Sequence, residues 1–84
     1  MISNVEVKDL AQVVNKYVIV YKQNGATRAK QVARVLSFSD SERKITYELL
    51  TGKEKGRKFE SKCDAAVPVK VYEEEDLTIA LLEV

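Results

Sequence analysis

The densest group of residues able to do chemistry is cationic: Lys53, Lys55, Arg57, Lys58 and Lys62 crowd the stretch TGKEKGRKFESK. Ammonium and guanidinium groups at this density attract phosphate, because each phosphate they neutralise releases condensed counterions. Arg28, Lys30 and Arg34 form a second basic patch upstream. The rings of Tyr21 and Tyr47 would stack on bases or form a partner groove if they reach the surface; Phe38 and Tyr72 belong to the same class. Glu54 and Glu60 interrupt the first group, so the competing expectation is an ordinary solvated turn. Acidic charge gathers at Glu73, Glu74, Glu75 and Asp76, a run suited to answering the basic face of a partner protein.

Other chemistries lack their residues. Histidine is absent, which removes the usual general base at neutral pH and the commonest metal ligand. The one cysteine, Cys63, makes zinc and iron–sulfur sites unexpected, and no nucleophile and base pair is visible. A non-enzymatic protein without metal or cofactor is therefore expected. Cys63 beside Lys62 could have a lowered pKa, or could be a small apolar residue at a strand end. Residues 52–58, GKEKGRK, are not a phosphate loop, because the glycine spacing is wrong and no Lys-Ser or Lys-Thr follows the second glycine. Four successive acids diverge in direction and lack the spaced oxygens and glycine of a calcium loop.

The totals bound what can carry these groups. At 84 residues the chain is one domain, expected to fold alone or as a small homo-oligomer. An apolar fraction of 45% and a charged fraction of 32% fit a globular protein. No apolar run approaches the ~20 residues that cross a bilayer, so no membrane partner is expected. A single thiol and no secretory signal make a reducing cytoplasm the expected compartment. The net charge of +1 conceals a segregation: residues 16–62 carry twelve Lys or Arg against five Asp or Glu, and residues 63–84 carry one Lys against six acids. Such asymmetry suits a basic surface for nucleic acid, or an electrostatic match within the fold.

The elements that must position these residues are mostly strands. Residues 3–6, SNVE, have capping-box spacing, and Val7, Leu10, Ala11 and Val14 follow a helical face, so an amphipathic helix is predicted to residue 15. The alternative is an extended edge over residues 5–8 with a single helical turn begun by Asp9. Residues 17–22 form the clearest strand, with Val18 and Val20 on one face and Tyr17, Ile19 and Tyr21 on the other. Asn24-Gly25 predicts a tight turn. Residues 27–38 fit a helix through Ala29, Val32, Ala33 and Leu36, yet a strand over 31–38 is favoured because it leads through a polar turn into the alternating strand 44–50. That strand pattern puts Val32, Arg34, Leu36 and Phe38 on one side. Residues 57–62 return from the basic tip, and 67–72 make a further strand whose Pro68 marks an edge or a start. Residues 77–84 read as a last strand with Leu77, Ile79 and Leu81 inward, or as a helix with acids at its N-terminus.

The order of a helix, KYVIVYK, an Asn-Gly turn, a long strand, a polar turn and KITYELL resembles the SH3-like small-barrel superfamily, including KOW and Tudor domains, over roughly residues 9–72. It is also similar to the Sm-like fold with its leading helix, but Gln31-Val32 and Cys63-Asp64 stand where that family carries its characteristic glycines. The resemblance implies a mainly β, SH3-like antiparallel barrel of about five strands with a short N-terminal helix. The cap is expected over residues 1–15, the barrel over 16–72 and an acidic segment over 73–84. It also implies hairpin tips that bind nucleic acid, DNA or RNA. The alternative is a small regulatory module that grips a partner protein by a strand edge or by its acidic segment.

Overall fold

The computed structural model describes residues 2–24 and 27–84, with the side chains of 22–28 outside that description; the predicted Asn24-Gly25 turn and the Arg28 side chain lie outside the described residues. The chain is a mainly β domain of antiparallel strands. Four strands, β2 (Tyr17–Asn24), β3 (Thr27–Ser39), β4 (Lys44–Leu49) and β5 (Lys58–Lys62), make one sheet in sequence order. A second sheet pairs β1 (Ser3–Val5) with β6 (Val69–Val71). Among the described residues the sheets meet at one bridge, where Tyr17 and Tyr72 exchange backbone hydrogen bonds of 2.9 and 2.8 Å.

The strand expected within residues 27–38 is the backbone of the larger sheet. It pairs with β2 over eight positions, from Tyr17 opposite Arg34 to Asn24 opposite Thr27, and its second half pairs with β4. A bulge between Val35 and Ser37 bends it. The bulge also breaks the predicted one-sided set of Val32, Arg34, Leu36 and Phe38. Ala33 and Val35 face the main core, Val32 and Arg34 lie on the opposite face, where Val32 is buried in a second cluster, and beyond the bulge Phe38 lies opposite the core residue Ile45. The turn into β4 uses Arg43 in the left-handed region, φ 54°.

The predicted N-terminal α-helix is not formed. Ser3, Asn4 and Val5 are extended against Val71, Lys70 and Val69, so the Ser-to-Glu spacing makes no capping box. Val7–Val13 is a 3-10 segment, kinked at Asp9, that buries Val7, Leu10 and Val13 and exposes Ala11. That period of three is the 3-10 repeat, and Val13 replaces the expected Ala11 and Val14. Asn15, at φ 67°, then turns the chain into β2.

The α-helix lies at the other end of the chain: α1 (Leu77–Leu82), entered through a 3-10 turn at Glu74–Asp76. The favoured strand over residues 77–84 is thereby corrected. A strand would have buried Leu77, Ile79 and Leu81, whereas the helix buries Ala80 and packs Leu77 while Ile79 and Leu81 stay exposed. Because α1 covers the outer face of the sheet, β2 is packed on both sides. Val18 and Val20 point into the main core with Val35, Tyr47 and Leu49; Tyr17 and Ile19 join Val32, Tyr72 and Ala80 on the other side. That double burial explains a run apolar on both faces.

Candidate nucleic-acid interface

β5 is one margin of the larger sheet, so one of its edges has no strand neighbour among the described residues. Its period of two exposes Lys58, Glu60 and Lys62 and turns Phe59 and Ser61 inward. Phe59 packs tilted on the buried Tyr47, ring centroids 6.0 Å apart, which holds the strand to the core. The preceding tip is tethered at its base. Thr51 Oγ1 donates to Gln31 Oε1 at 2.5 Å and accepts from the Val32 N–H at 3.1 Å. Gly52, at φ 83°, brings its backbone so close to Gln31 that a Cβ there would meet Oε1 at 2.5 Å. The basic residues thus stand on an anchored hairpin.

Their surroundings divide them. The Arg57 guanidinium pairs with Glu54 at 3.0 Å and lies 5.4 Å above the Phe59 ring. Lys44 sits between Glu42 at 3.6 Å and Glu60 at 3.8 Å. Lys53, Lys55, Lys58 and Lys62 are exposed and form no ion pair among the described residues. Lys58 is opposite Glu48 in the β4–β5 register, without closing an ion pair, and Lys62 is opposite Lys44.

The second basic patch is divided: Arg34 shares a cross-strand row with Lys58, with Glu48 between them, and Lys30 lies apart from the hairpin. Arg34 donates to Asn15 Oδ1 at 3.2 Å and lies opposite Glu48. Lys30, opposite Tyr21, lines a groove beside β2, at the far side of the sheet from β5. Of the two tyrosines expected as stacking platforms, Tyr47 is a core residue at 3% exposure, beyond the reach of an incoming base. Tyr21 is 56% exposed and belongs to that groove, remote from the hairpin. Tyr72 is buried as well, its hydroxyl donating to Glu83 Oε2 at 2.5 Å. Burial, and then the hydrogen bond to that carboxylate, push its phenol above the ordinary range.

The acidic run is partly structural. Glu73 and Asp76 form a reciprocal capping box around the 3-10 turn, Asp76 Oδ2 accepting the Glu73 N–H at 3.1 Å. Glu73 also pairs with Lys16, and Asp76 is buried. Glu74 and Glu75 remain exposed. This use of two of the four acids was signalled by their separation of three residues, the capping-box spacing. Cys63 is half-buried against the core, and that burial pushes its thiol up, the reverse of what a reactive nucleophile needs. Among the described residues no cluster of His, Cys, Asp or Glu is placed to hold a metal ion, and no helix is long and apolar enough to cross a membrane.

No family model, no curated protein and no solved structure matches the chain.

Proposed function

We propose that this protein is a non-enzymatic module that holds nucleic acid by its phosphate backbone along the β4–β5 hairpin. Four lysines without ion-pair partners among the described residues, Lys53, Lys55, Lys58 and Lys62, carry that proposal. A lysine bound to a carboxylate must surrender that contact to take a phosphate, whereas an unpaired one only releases phosphate counterions. Lys58 and Lys62 lie four residues apart on an extended strand, so they reach over roughly 13 Å of a ligand backbone. With Arg57 tied to Glu54 and Glu60 between the lysines, the surface is suited to backbone contact and offers little to distinguish bases.

We read the scaffold as an open relative of the SH3-like small barrel: in place of the expected closed barrel of about five strands, the described residues form a four-stranded and a two-stranded sheet with no barrel closure. Two sheets joined at Tyr17 and Tyr72 contribute to one core, β1 and β6 through Val5 and Val71 and the larger sheet through Val18, Val35 and Tyr47. A chain of this size without a disulfide needs such a shared core.

Fluorescence anisotropy of labelled duplex DNA, single-stranded DNA and RNA, titrated over a series of salt concentrations, tests the proposal. Four neutralised phosphates predict a log–log salt slope of about −3.6 for duplex and about −2.8 for a single strand. Replacing Lys53, Lys55, Lys58 and Lys62 together by Ala should bring the slope close to zero and leave the urea midpoint in place. Equal binding by the quadruple variant, or no binding by the native chain at low salt, would overturn it. The alternative of a partner protein draws its support from a strand edge rather than from the acidic run, since Glu73 and Asp76 are engaged within the fold.

A further inference from the structure

β2 and β6 touch at Tyr17 and Tyr72 and then part. Backbone groups of alternate residues point to opposite edges of a strand. Tyr17 directs its N–H and C=O to Tyr72, so Val18 turns toward β3 and Ile19 turns the same way as Tyr17, away from β3. The partner residue in β3 agrees. Val32, opposite Ile19, gives its N–H to Thr51 Oγ1 and receives the Leu50 N–H at its carbonyl, both on the β4 side. On β6 the same alternation runs from Tyr72, which faces β2, through Val71, which faces β1, to Lys70. The main-chain groups of Ile19 and Lys70 therefore point into the space where the strands diverge, and neither residue has a further backbone hydrogen bond among the described residues.

That space is a groove of about 730 Å³, lined by Ile19, Tyr21 and Lys30 on one side and by Val67, Pro68 and Lys70 on the other. Val67 is 57% exposed, and with Pro68 and the Tyr21 ring it offers apolar contact. Lys30 is exposed without an ion pair among the described residues. Lys70 pairs with Glu83 at 3.9 Å and lies over the Tyr72 ring at 5.3 Å, while Glu83 is also held by the Tyr72 hydroxyl. Among the described residues the groove thus combines a strand edge, an apolar wall and one uncompensated positive charge.

We propose that this groove receives an extended segment of a partner protein, with acidic side chains alternating with small apolar ones, which adds as a strand to the β2 edge at Ile19. A peptide backbone supplies both the acceptor for the Ile19 N–H and the donor for its C=O. A DNA backbone supplies acceptors only and would leave that carbonyl facing oxygen, and the 2′-hydroxyls of RNA do not repeat the paired N–H and C=O of an extended peptide. Alternation puts the carboxylates on the face where Tyr21 and Lys30 lie opposite each other, so that one in register meets Lys30, and turns the small apolar side chains to the other face, toward Val18 and Val69. This surface is separate from the hairpin lysines, so it stands or falls independently of them.

The test uses the full chain and a capped eight-residue peptide alternating glutamate with valine and threonine, followed by amide hydrogen exchange and backbone chemical shifts. The peptide should slow exchange of the Ile19 and Lys70 amides at least about tenfold when bound, with shift changes confined to β2, β6 and the start of β3. N-methylating one alternate set of peptide amides should abolish that protection, and methylating the other set should preserve it. Lys30→Glu, at an exposed position, should weaken binding about tenfold, and a peptide with lysine in place of glutamate should not bind. The quadruple hairpin-lysine variant should bind the peptide as the native chain does. The proposal is overturned if the Ile19 amide is not protected, if both methylated peptides behave alike, if Lys30→Glu has no effect, or if nucleic acid produces the same shifts.

Discussion

The two margins of the four-stranded sheet are built on opposite terms. β5 presents Lys58, Glu60 and Lys62 to solvent, follows a charged tip and rests on the core through Phe59. β2 carries no exposed charge among residues 17–21, is packed on both faces, and parts from its neighbour β6 after a single bridge. A charged edge discourages another strand and favours ions; an apolar edge with directed backbone groups favours a strand. One small sheet thereby offers two surfaces of different chemistry, and which atoms are already engaged distinguishes them better than residue type does.

The junction at Tyr72 is the place to break this contrast. It is a fully buried ring that joins the two sheets and receives α1. Tyr72→Ala should cost about 3–5 kcal/mol of unfolding free energy in a urea titration, because a large aromatic is deleted where both layers meet. A loss below about 1 kcal/mol would mean that β6 and α1 contribute little to holding the β2 margin.

The β5 margin depends instead on its docked tip, and two glycines there separate docking from backbone strain. Gly52 and Gly56 both have positive φ, 83° and 91°, but a Cβ would strike the Gln31 side chain only at position 52. Gly56→Ala is expected to cost about 1 kcal/mol from conformation alone, and Gly52→Ala about 1 kcal/mol more because Gln31 must give way. Equal thermal shifts for the two variants would show that the tip is not seated on β3.

Alkaline pH probes the β2 side more gently. The Tyr72 phenol, raised by burial and by its bond to Glu83, stabilises the fold fully below its unfolded value of about 10 and loses that contribution as pH climbs through the folded value. The urea midpoint of the native chain should therefore fall more steeply above pH 10 than that of Tyr72→Phe; parallel curves would exclude this phenol as a cause. Smallest of all, Glu60→Gln should sharpen the charged margin. It removes the carboxylate between Lys58 and Lys62 and leaves Lys44 with Glu42 alone, so nucleic-acid binding should tighten a few-fold and its salt slope steepen by up to about one unit. An unchanged slope would place the ligand off β5.

Local pattern made much of the sheet legible. The β-branched and aromatic run of β2, the alternation of Ile45, Tyr47 and Leu49, and the start of β6 after Pro68 follow from side-chain shape and missing donors, which act within a few residues. The charge of the hairpin was equally visible. Hidden were the facts set by a distant surface. Nothing local tells a 3-10 repeat at Val7, Leu10 and Val13 from an α-helical one, because the choice depends on the core they enter. Leu77 and Ala80 form a helix because the outer face around Val32 and Tyr72 has to be covered. Which lysines are left without partners, which tyrosine reaches solvent, and where two strands part leaving backbone groups directed into a groove were decided by tertiary structure alone. Ion pairing, burial and strand divergence are relations between residues far apart in the chain, and no single stretch of sequence contains them.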